Sequence, residues 1–261
     1  MDAPRPLTAA ELPTLTAPPG WRAVDLLSDL HLQASEPLTF ESWRHWMANT
    51  EADAVFILGD LFEVWVGDDL RDPFSDACRA ALADAARHRT VGFMAGNRDF
   101  LVGPELLGET GLRRLDDPTV LAFQGRRWLL SHGDALCLGD RDYQAFRTEV
   151  RTPAWRQAFL ARPLAERQAV ARGLRDASEA RKRSDAVYAE PDADLARSWL
   201  RAANAGTLIH GHTHRPGEEP LGDGLRRVVL SDWDAAARPP RLEVLRLDEQ
   251  GLRRIDLAPP P

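Results

Sequence analysis

The stretch VFILGDLFEVWVGDD, residues 55–69, constrains the fold more than any other part of the chain. Four apolar residues run into Gly59 and then into the carboxylate of Asp60. An apolar run rich in β-branched and aromatic residues predicts a strand that is covered on both faces. In open α/β sheets, functional groups collect beyond the carboxyl ends of the strands. The sequence therefore predicts a buried strand that places Asp60 at the rim of a sheet.

Four other apolar runs end in the same way, each followed by side chains with oxygen or nitrogen donors. The donors after the five predicted strands are Asp29, His31, Asp60, Asn97, His132, His212 and His214. Any one of them, taken alone, is best explained as an ordinary polar residue. Four of them stand beside a glycine, which lets backbone approach a metal or substrate without a Cβ in the way. Together they predict a ligand set large enough for two metal ions.

Composition restricts the class of protein. The chain has 261 residues, 44% of them hydrophobic, which suits a soluble protein of one large domain or two small ones. It contains no apolar stretch near the roughly 18 residues that a membrane-spanning helix needs, and its N-terminus lacks the apolar core of a secretory signal. We therefore expect a cytoplasmic protein. The net charge of −7 argues against general nucleic-acid binding. Cys78 and Cys137 lack the spacing of a thiolate metal site.

Strand and helix patterns alternate along the first half of the chain, which predicts a layered α/β fold. Residues 1–20, with five prolines, are expected to form a flexible extension before a domain over 21–261. Asp72 followed by Pro73 predicts the start of a strong amphipathic helix. Residues 119–131 predict a hairpin with its turn at Gln124 to Arg126.

From about residue 140 to residue 203 the strand signals disappear, which predicts an all-helical insertion. The expected helix breaks are at Pro153, Pro163, Gly173 and Pro191. Residues 147–183 carry ten Lys or Arg against four Asp or Glu. This excess favours either a surface for an anionic partner or a solvated helical face. After His214, strand patterns return and predict a closing antiparallel sheet.

Five short blocks, in order, resemble the signature of the calcineurin-like metallophosphoesterases. They are DLH at 29–31, GD at 59–60, GN at 96–97, HGD at 132–134 and GHTH at 211–214. The resemblance implies a two-sheet αββα sandwich, α/β (α+β) in class, with the helical insertion as a cap. It also implies two Mn²⁺ ions per chain, although oxygen and imidazole ligands by themselves suit Fe²⁺ or Zn²⁺ as well. One ion would be held by Asp29, His31, Asp60 and His214, and the other by Asp60, Asn97, His132 and His212, with Asp60 bridging.

Longer blocks, SDLHL, ILGDLFEVWVGDD, GNRDFL, HGDALC, DYQAFR and LIHGHTHRP, are similar to one branch of that family over about residues 21–235. That branch hydrolyses the pyrophosphate bond of UDP-2,3-diacylglucosamine in lipid A synthesis, giving 2,3-diacylglucosamine 1-phosphate (lipid X) and UMP. The resemblance implies in-line attack of a metal-activated water on this UDP-linked lipid. It further implies a protein peripheral on the cytoplasmic face of the Gram-negative inner membrane, without nucleic acid or an obligate protein partner.

The resemblance also suggests roles for individual residues. The implied catalytic residues are Asp60, Asn97, Arg98 and His132. The expected substrate contacts are Asn97, Arg98, Asp140, Tyr143, Phe146, Phe159, Arg175, Ser178, Lys182 and His212. On this interpretation apolar cap positions, Phe159 among them, form a chamber for the acyl chains. The simpler alternative is a cap that buries its own small core.

Arg98 stands where the wider family commonly has a histidine that protonates an alkoxide leaving group. An arginine cannot be a general acid, because its pKa is above about 12. A phosphate leaving group is a weaker base, so a fixed guanidinium that neutralises its charge is sufficient. Arg98 therefore favours a diphosphate substrate. Asp99 and Asp134 are candidates to orient the imidazoles from behind, or to support the next segment of chain.

Two other functions fit parts of the pattern. A soluble nucleotide or dinucleoside polyphosphate hydrolase would share the metal site and Arg98, but the basic, apolar cap argues against it. A non-catalytic scaffold of the same fold would have lost metal ligands, whereas this chain keeps all seven.

Overall fold

The computed structural model describes residues 7–183 and 189–258, and of residues 175–183 it describes the backbone alone. Two six-stranded mixed sheets form the centre. The first sheet has the order β1 (Thr14–Thr16), β6 (Thr119–Phe123), β7 (Arg126–Ser131), β8 (Thr207–His210), β10 (Leu225–Val229) and β9 (Gly217–Gly222). The second has the order β12 (Gly251–Asp256), β11 (Glu243–Asp248), β2 (Val24–Leu27), β3 (Ala54–Leu58), β4 (Thr90–Met94) and β5 (Arg113–Leu115).

Helices cover the outer faces of both sheets. The described helices are α1 (Pro37–Asn49), α2 (Pro73–His88), α3 (Pro104–Thr110), α4 (Arg141–Val150), α5 (Pro153–Leu160), α6 (Leu164–Arg183) and α7 (Ala193–Ala203). Residues of α1, α2 and α3 pack on the second sheet, and α7 packs on the first. The expected αββα sandwich is confirmed. None of the helices in the described ranges is long and apolar enough to cross a membrane.

Strand β3 shows why the central sheet residues are apolar on both faces. All five of its residues are buried. Val55 and Ile57 point to the helical layer, while Phe56 and Leu58 point between the sheets. Because side chains alternate along a strand, a strand covered on both faces needs a continuous apolar run. The prediction of a buried strand ending at Gly59 is confirmed.

Helix α2 begins as its sequence predicts. The Asp72 carboxylate accepts hydrogen bonds from the backbone N–H groups of Phe74 and Ser75, each at 2.9 Å, and Pro73 occupies the first turn. Cys78 and Leu82 are fully buried on its inner side. Capping thus fixes the helix start, and the apolar face attaches the helix to the second sheet.

Residues 14–16, expected within a flexible extension, instead form β1, which pairs in parallel with β6. Leu12 and Leu15 are buried. A three-residue strand beside prolines gives almost no local signal, and its position depends on an edge strand far along the chain. The extension is therefore part of the sandwich over this stretch.

The helical insertion differs from its expected form in two ways. Helix α6 continues through Gly173. No described atom lies within 4 Å of a Cβ added there, so packing among the described residues does not require a glycine at this position. A single glycine costs a helix only about 1 kcal/mol, which the helix-forming neighbours offset. Helix α7 is not part of a cap, because Trp199 and Leu200 belong to the core of the first sheet. Nor do the last four strands close one sheet, since β9 and β10 join the first and β11 and β12 the second.

Candidate metal centre

The predicted ligands come together at one edge of the sandwich. Strands β2, β3 and β4 of the second sheet run parallel to one another, as do β7 and β8 of the first. The loops after these five strands carry all seven predicted ligands. Their side chains contact one another across the two sheets.

One group of donors consists of Asp29, His31 and His214. The Nε2 atoms of His31 and His214 lie 3.2 Å apart. Oδ1 of Asp29 lies 3.4 Å from His214 Nε2 and 4.0 Å from His31 Nε2. Two ring nitrogens and a carboxylate oxygen therefore face one small space, which is a suitable arrangement for a divalent cation.

A second group is centred on the side-chain oxygen of Asn97. This atom lies 3.0 Å from His132 Nε2 and 2.9 Å from His212 Nδ1. Asp60 Oδ1 lies 3.7 Å from the same nitrogen of His132. Donor atoms of Asp29, Asp60 and His132 also lie within 4.8 Å of one another, so Asp60 stands between the two groups.

The backbone at most of these ligands is strained. Five of the seven predicted ligands have positive φ: Asp29 at 54°, His31 at 48°, Asp60 at 54°, His212 at 68° and His214 at 52°. Non-glycine residues rarely adopt the left-handed region, at a cost of about 1–3 kcal/mol each. The sharp turns at the strand ends aim the donors at a common centre. Residue spacing alone did not reveal this strain.

The adjacent glycines allow the close approach that the sequence pattern predicts. A Cβ on Gly59 would lie 2.4 Å from a ring atom of His132, and one on Gly211 would lie 2.2 Å from the Asp29 carboxylate. A Cβ on Gly96 would lie 2.1 Å from Asp60 Oδ1 and 2.5 Å from the Asp60 backbone nitrogen. These separations are too short for any side chain, so glycine is required by packing.

We expect Gly96→Ala to displace the Asp60 carboxylate, because backbone as well as side chain blocks the added methyl. Such overpacking costs about 1–3 kcal/mol of folding free energy. The matched control is Gly108→Ala in α3, where no described atom lies within 4 Å of the new Cβ. Urea unfolding and Mn²⁺ titration of both variants would measure the effect. If Gly96→Ala binds Mn²⁺ as tightly as Gly108→Ala, Gly96 does not set the position of Asp60.

The imidazoles of the second group have opposite electrostatic environments. Burial alone would lower the pKa of His132, but nearby carboxylates, above all Asp60 and Asp134, raise it to about 9. Burial, together with the neighbouring His132, lowers the pKa of His212 to about 4. His212 is thus ready to ligate near neutral pH, whereas a metal ion at His132 would have to displace a proton.

Asp99 supports the loops around the site. It accepts hydrogen bonds from the backbone N–H groups of Leu61 and Gly96, each at 2.8 Å. Burial and the nearby Asp60 raise the pKa of Asp99 to about 7. These bonds connect the loops that follow β3 and β4. The contacts favour loop support over imidazole orientation.

Asp134 connects the site to the cap. Its Oδ2 accepts hydrogen bonds from Tyr143 Oη at 2.5 Å, Arg147 Nε at 2.8 Å and Arg151 Nη2 at 3.2 Å. The two guanidinium groups outweigh burial and hold the pKa of Asp134 well below its usual range. Arg151 also donates to the carbonyl oxygen of Gly96 at 2.9 Å. Helix α4 is thereby fixed against the loops that carry predicted ligands.

Arg98 lies beside the candidate centre. Its backbone N–H donates to Asp60 Oδ1 at 2.9 Å, and its Nη1 lies 3.3 Å from Oε1 of Glu63. The side chain is mostly buried, with 15% of its surface exposed. Arg98 therefore helps to hold Asp60 through its backbone while its guanidinium is fixed separately.

Two acidic residues near the site were missed by sequence reasoning. Glu63 Oε2 lies 3.0 Å from His31 Nδ1, and Asp232 Oδ2 lies 3.7 Å from His214 Nδ1. Glu63 falls within the stretch that organises the fold, three residues after Asp60. The sequence does not distinguish either residue from a surface carboxylate. Each one lies beside the site only because the fold brings it close to a histidine from another part of the chain.

The predicted substrate contacts are in several kinds of environment. Tyr143 stacks near His212, with ring centroids 6.1 Å apart, and Asp140 caps α4 by accepting from the Tyr143 backbone N–H at 3.1 Å. Phe146 is half-buried. Phe159 is buried in the core on the second sheet and stacks on Trp155 at 4.7 Å. The side chains of Arg175, Ser178 and Lys182 lie outside the described part of the structure.

The donor set fits divalent cations. Carboxylate and amide oxygens and imidazole nitrogens converge from both sheets, and they form two overlapping groups around Asp29 and Asp60. No thiolate contributes, because both cysteines are buried elsewhere and burial raises their pKa values to about 12. Such oxygen and nitrogen sets bind Mn²⁺, Fe²⁺ or Zn²⁺.

Comparison with known proteins agrees with this fold and site. The profile of the calcineurin-like phosphoesterases matches residues 23–216. The chain is 44% identical over 244 residues to a UDP-2,3-diacylglucosamine hydrolase of Chromobacterium violaceum, covering 90% of this chain and 99% of that protein. It is 44% identical to the hydrolase of the same name from Aromatoleum aromaticum, covering 79% and 87%. The one from Xanthomonas oryzae pv. oryzae is 42% identical, covering 87% and 95%.

Proposed function

Because the chain belongs to the calcineurin-like phosphoesterase family, and within it to the UDP-2,3-diacylglucosamine hydrolases, we propose that this enzyme hydrolyses the pyrophosphate bond of UDP-2,3-diacylglucosamine. The products would be 2,3-diacylglucosamine 1-phosphate and UMP. The observation that carries the proposal is the convergence of seven donor side chains beside Arg98, in a chain that spans nearly the whole length of its relatives. The relatives, named as UDP-2,3-diacylglucosamine hydrolases, support a hydrolase of the lipid A pathway.

We assign the metal ligands as the two groups suggest. Asp29, His31, Asp60 and His214 would hold one ion, and Asp60, Asn97, His132 and His212 the other. We propose Mn²⁺ as the metal at both positions. When bound, a pair of divalent ions supplies the Lewis acidity that activates water and neutralises charge at phosphorus.

The protein's own residues would orient the diphosphate. Arg98 is fixed by Glu63 beside Asp60, so a phosphate oxygen that reaches its guanidinium meets a donor already in place. A preorganised cation at the departing phosphate neutralises its charge without proton transfer. Asn97, Arg98 and His212 would contact the diphosphate, and Asp140 and Tyr143 would approach the headgroup from α4.

The cap offers apolar surface for the acyl chains. Val170 and Leu174 of α6 are 37% and 48% exposed, and Leu160 at the end of α5 is 39% exposed. Arg162 and Arg172 are exposed between them. Each buried CH₂ of an acyl chain contributes about 0.8 kcal/mol, and each cation near an anionic membrane surface about 1 kcal/mol. We therefore propose that α6 faces the lipid and that the enzyme contacts the cytoplasmic face of the inner membrane.

The direct test is a mass-spectrometric assay of UDP-2,3-diacylglucosamine with added Mn²⁺. We expect UMP and the diacyl sugar phosphate, with activity lost in the presence of a chelator. Faster hydrolysis of soluble nucleotides or dinucleoside polyphosphates than of the lipid would favour the soluble-substrate alternative. Absence of Mn²⁺-dependent turnover on every phosphate ester tested would favour a scaffold.

We expect Leu174→Asp to weaken hydrolysis of the diacyl substrate much more than hydrolysis of a small unacylated phosphodiester. The charge would oppose acyl-chain burial while leaving the ligands in place. Phe159 is unsuitable for this test, because its burial in the core would confound binding with stability. Leu38→Asp in α1 is the matched control, since Leu38 is 61% exposed and lies outside the cap. Equal losses on both substrates would mean that α6 only supports the fold.

A further inference from the structure

Glu63 makes two contacts with one carboxylate. Its Oε2 lies 3.0 Å from Nδ1 of His31, and its Oε1 lies 3.3 Å from Nη1 of Arg98. All three side chains are largely buried, with exposed fractions of 13–15%. One acidic group is thus shared by a candidate metal ligand and the arginine assigned to phosphate.

Each contact of Glu63 constrains the orientation of the side chain that it touches. The opposite nitrogen of His31, Nε2, faces the donor group with Asp29 and His214. An acceptor behind Nδ1 favours the ring orientation and tautomer that present the lone pair of Nε2 to a metal. At its other oxygen, Glu63 restricts the rotation of the Arg98 guanidinium.

The surroundings of Glu63 favour a role at the site over a role in the core. Its backbone N–H donates to the carbonyl oxygen of Leu32 at 3.2 Å, so the chain here is fixed without the side chain. The apolar residues around it, Phe62 and Trp65, stack on each other with centroids 4.5 Å apart. The Glu63 carboxylate instead contacts His31 and Arg98.

We propose that Glu63 is a positioning residue that holds both His31 and Arg98, and that it thereby couples metal binding to phosphate binding. The inference rests on the proposed function in taking His31 as a metal ligand and Arg98 as a phosphate contact. With His31 holding an ion, its ring would be fixed, the ring would restrict the Glu63 carboxylate, and that carboxylate would restrict the Arg98 guanidinium. By linkage, phosphate on Arg98 would strengthen metal binding by the same factor.

The substitution Glu63→Gln removes the charge that both contacts share and disrupts one of the two contacts. His31 and Arg98 contact different oxygens of Glu63, and glutamine has an NH₂ donor in place of one of them, so in the present geometry only one of the two contacts can persist. We expect the variant to bind Mn²⁺ about 10–100-fold more weakly than the natural protein. Inorganic phosphate should also bind less tightly to the Mn²⁺-loaded variant. Glu63→Asp, which keeps both oxygens on a shorter stem, should retain part of each affinity.

The matched control is Glu105→Gln, which disturbs an arginine–glutamate pair with Arg71 on the exposed face of α3. It should leave both affinities unchanged. Thermal unfolding of the metal-free proteins would show whether Glu63→Gln loses more stability than this control. If Glu63→Gln does not fold, the same measurements on Glu63→Asp decide.

Double-mutant cycles give the decisive result. We expect Glu63→Gln to add little loss of Mn²⁺ affinity in a His31→Ala background, and little loss of phosphate affinity in an Arg98→Ala background. Fully additive losses, or affinities equal to those of Glu105→Gln, would overturn the proposal. These measurements use Mn²⁺ and phosphate alone, so they hold even if the lipid assay fails.

Discussion

Asp60→Ala is expected to abolish turnover and to weaken the binding of both metal ions together. Its carboxylate lies between the two donor groups, within 4.8 Å of donor atoms of Asp29 and His132. Removal of a terminal ligand such as His31 takes donors from one group only, so excess Mn²⁺ should partly restore the activity of His31→Ala. Metal content and turnover of the two variants, measured across a range of Mn²⁺ concentrations, would show the difference.

Asp60→Asn is the control for backbone strain at this position. Asp60 has φ of 54°, a conformation that asparagine adopts more readily than alanine. Asp60→Asn should therefore fold normally while it loses one metal-binding oxygen and its charge. Near-normal turnover of Asp60→Ala would rule out a bridging role, whereas loss of folding in Asp60→Ala alone would point to strain.

Arg98→Ala is expected to keep its metal ions and to lose about 10²–10³-fold in kcat, the usual effect of removing one preorganised transition-state donor. Arg98→Lys should restore little, because an ammonium does not reproduce the planar fork that Glu63 holds. The backbone N–H of Arg98, which donates to Asp60, remains in both variants. The measurement is kcat and KM at saturating Mn²⁺.

Metal content distinguishes this role from a structural one. If Arg98→Ala loses Mn²⁺ as well as activity, Arg98 acts by supporting the metal ligands. If kcat is unchanged and only KM rises, it contributes uniform binding instead of transition-state stabilisation.

Four of the five strand ends were predictable because they combine two strong local signals. An apolar run such as residues 55–58 predicts a strand that is buried on both faces. The Gly-Asp pair that follows predicts a sharp turn that carries a metal-ligating carboxylate. Both signals depend on neighbouring residues, so they can be read without knowing the fold. The same holds for α2, because Asp72 and Pro73 together predict where the helix begins.

The features that sequence reasoning missed depend on distant partners. Strand β1 exists because β6 offers an edge, and three residues between prolines carry no such information. The sequence of helix α7 is amphipathic like the sequences of the cap helices. It belongs to the sandwich because its apolar face packs on the first sheet, which the local sequence does not show. In the sequence Glu63 resembles any surface glutamate, and only the folded structure shows that it lies between His31 and Arg98.

The pairing of β2 with β11 has a consequence for biosynthesis. Asp29 follows β2, yet Asp25 of that strand is held by Arg246, 221 residues later in the chain. Strand β2 therefore has a neighbour on both sides only when the C-terminal strands have been made. Contacts between such distant segments form slowly, because a long loop must close first. Until residues 243–248 have been synthesised, a nascent chain would carry its first ligand loop on a strand that is paired on one side only.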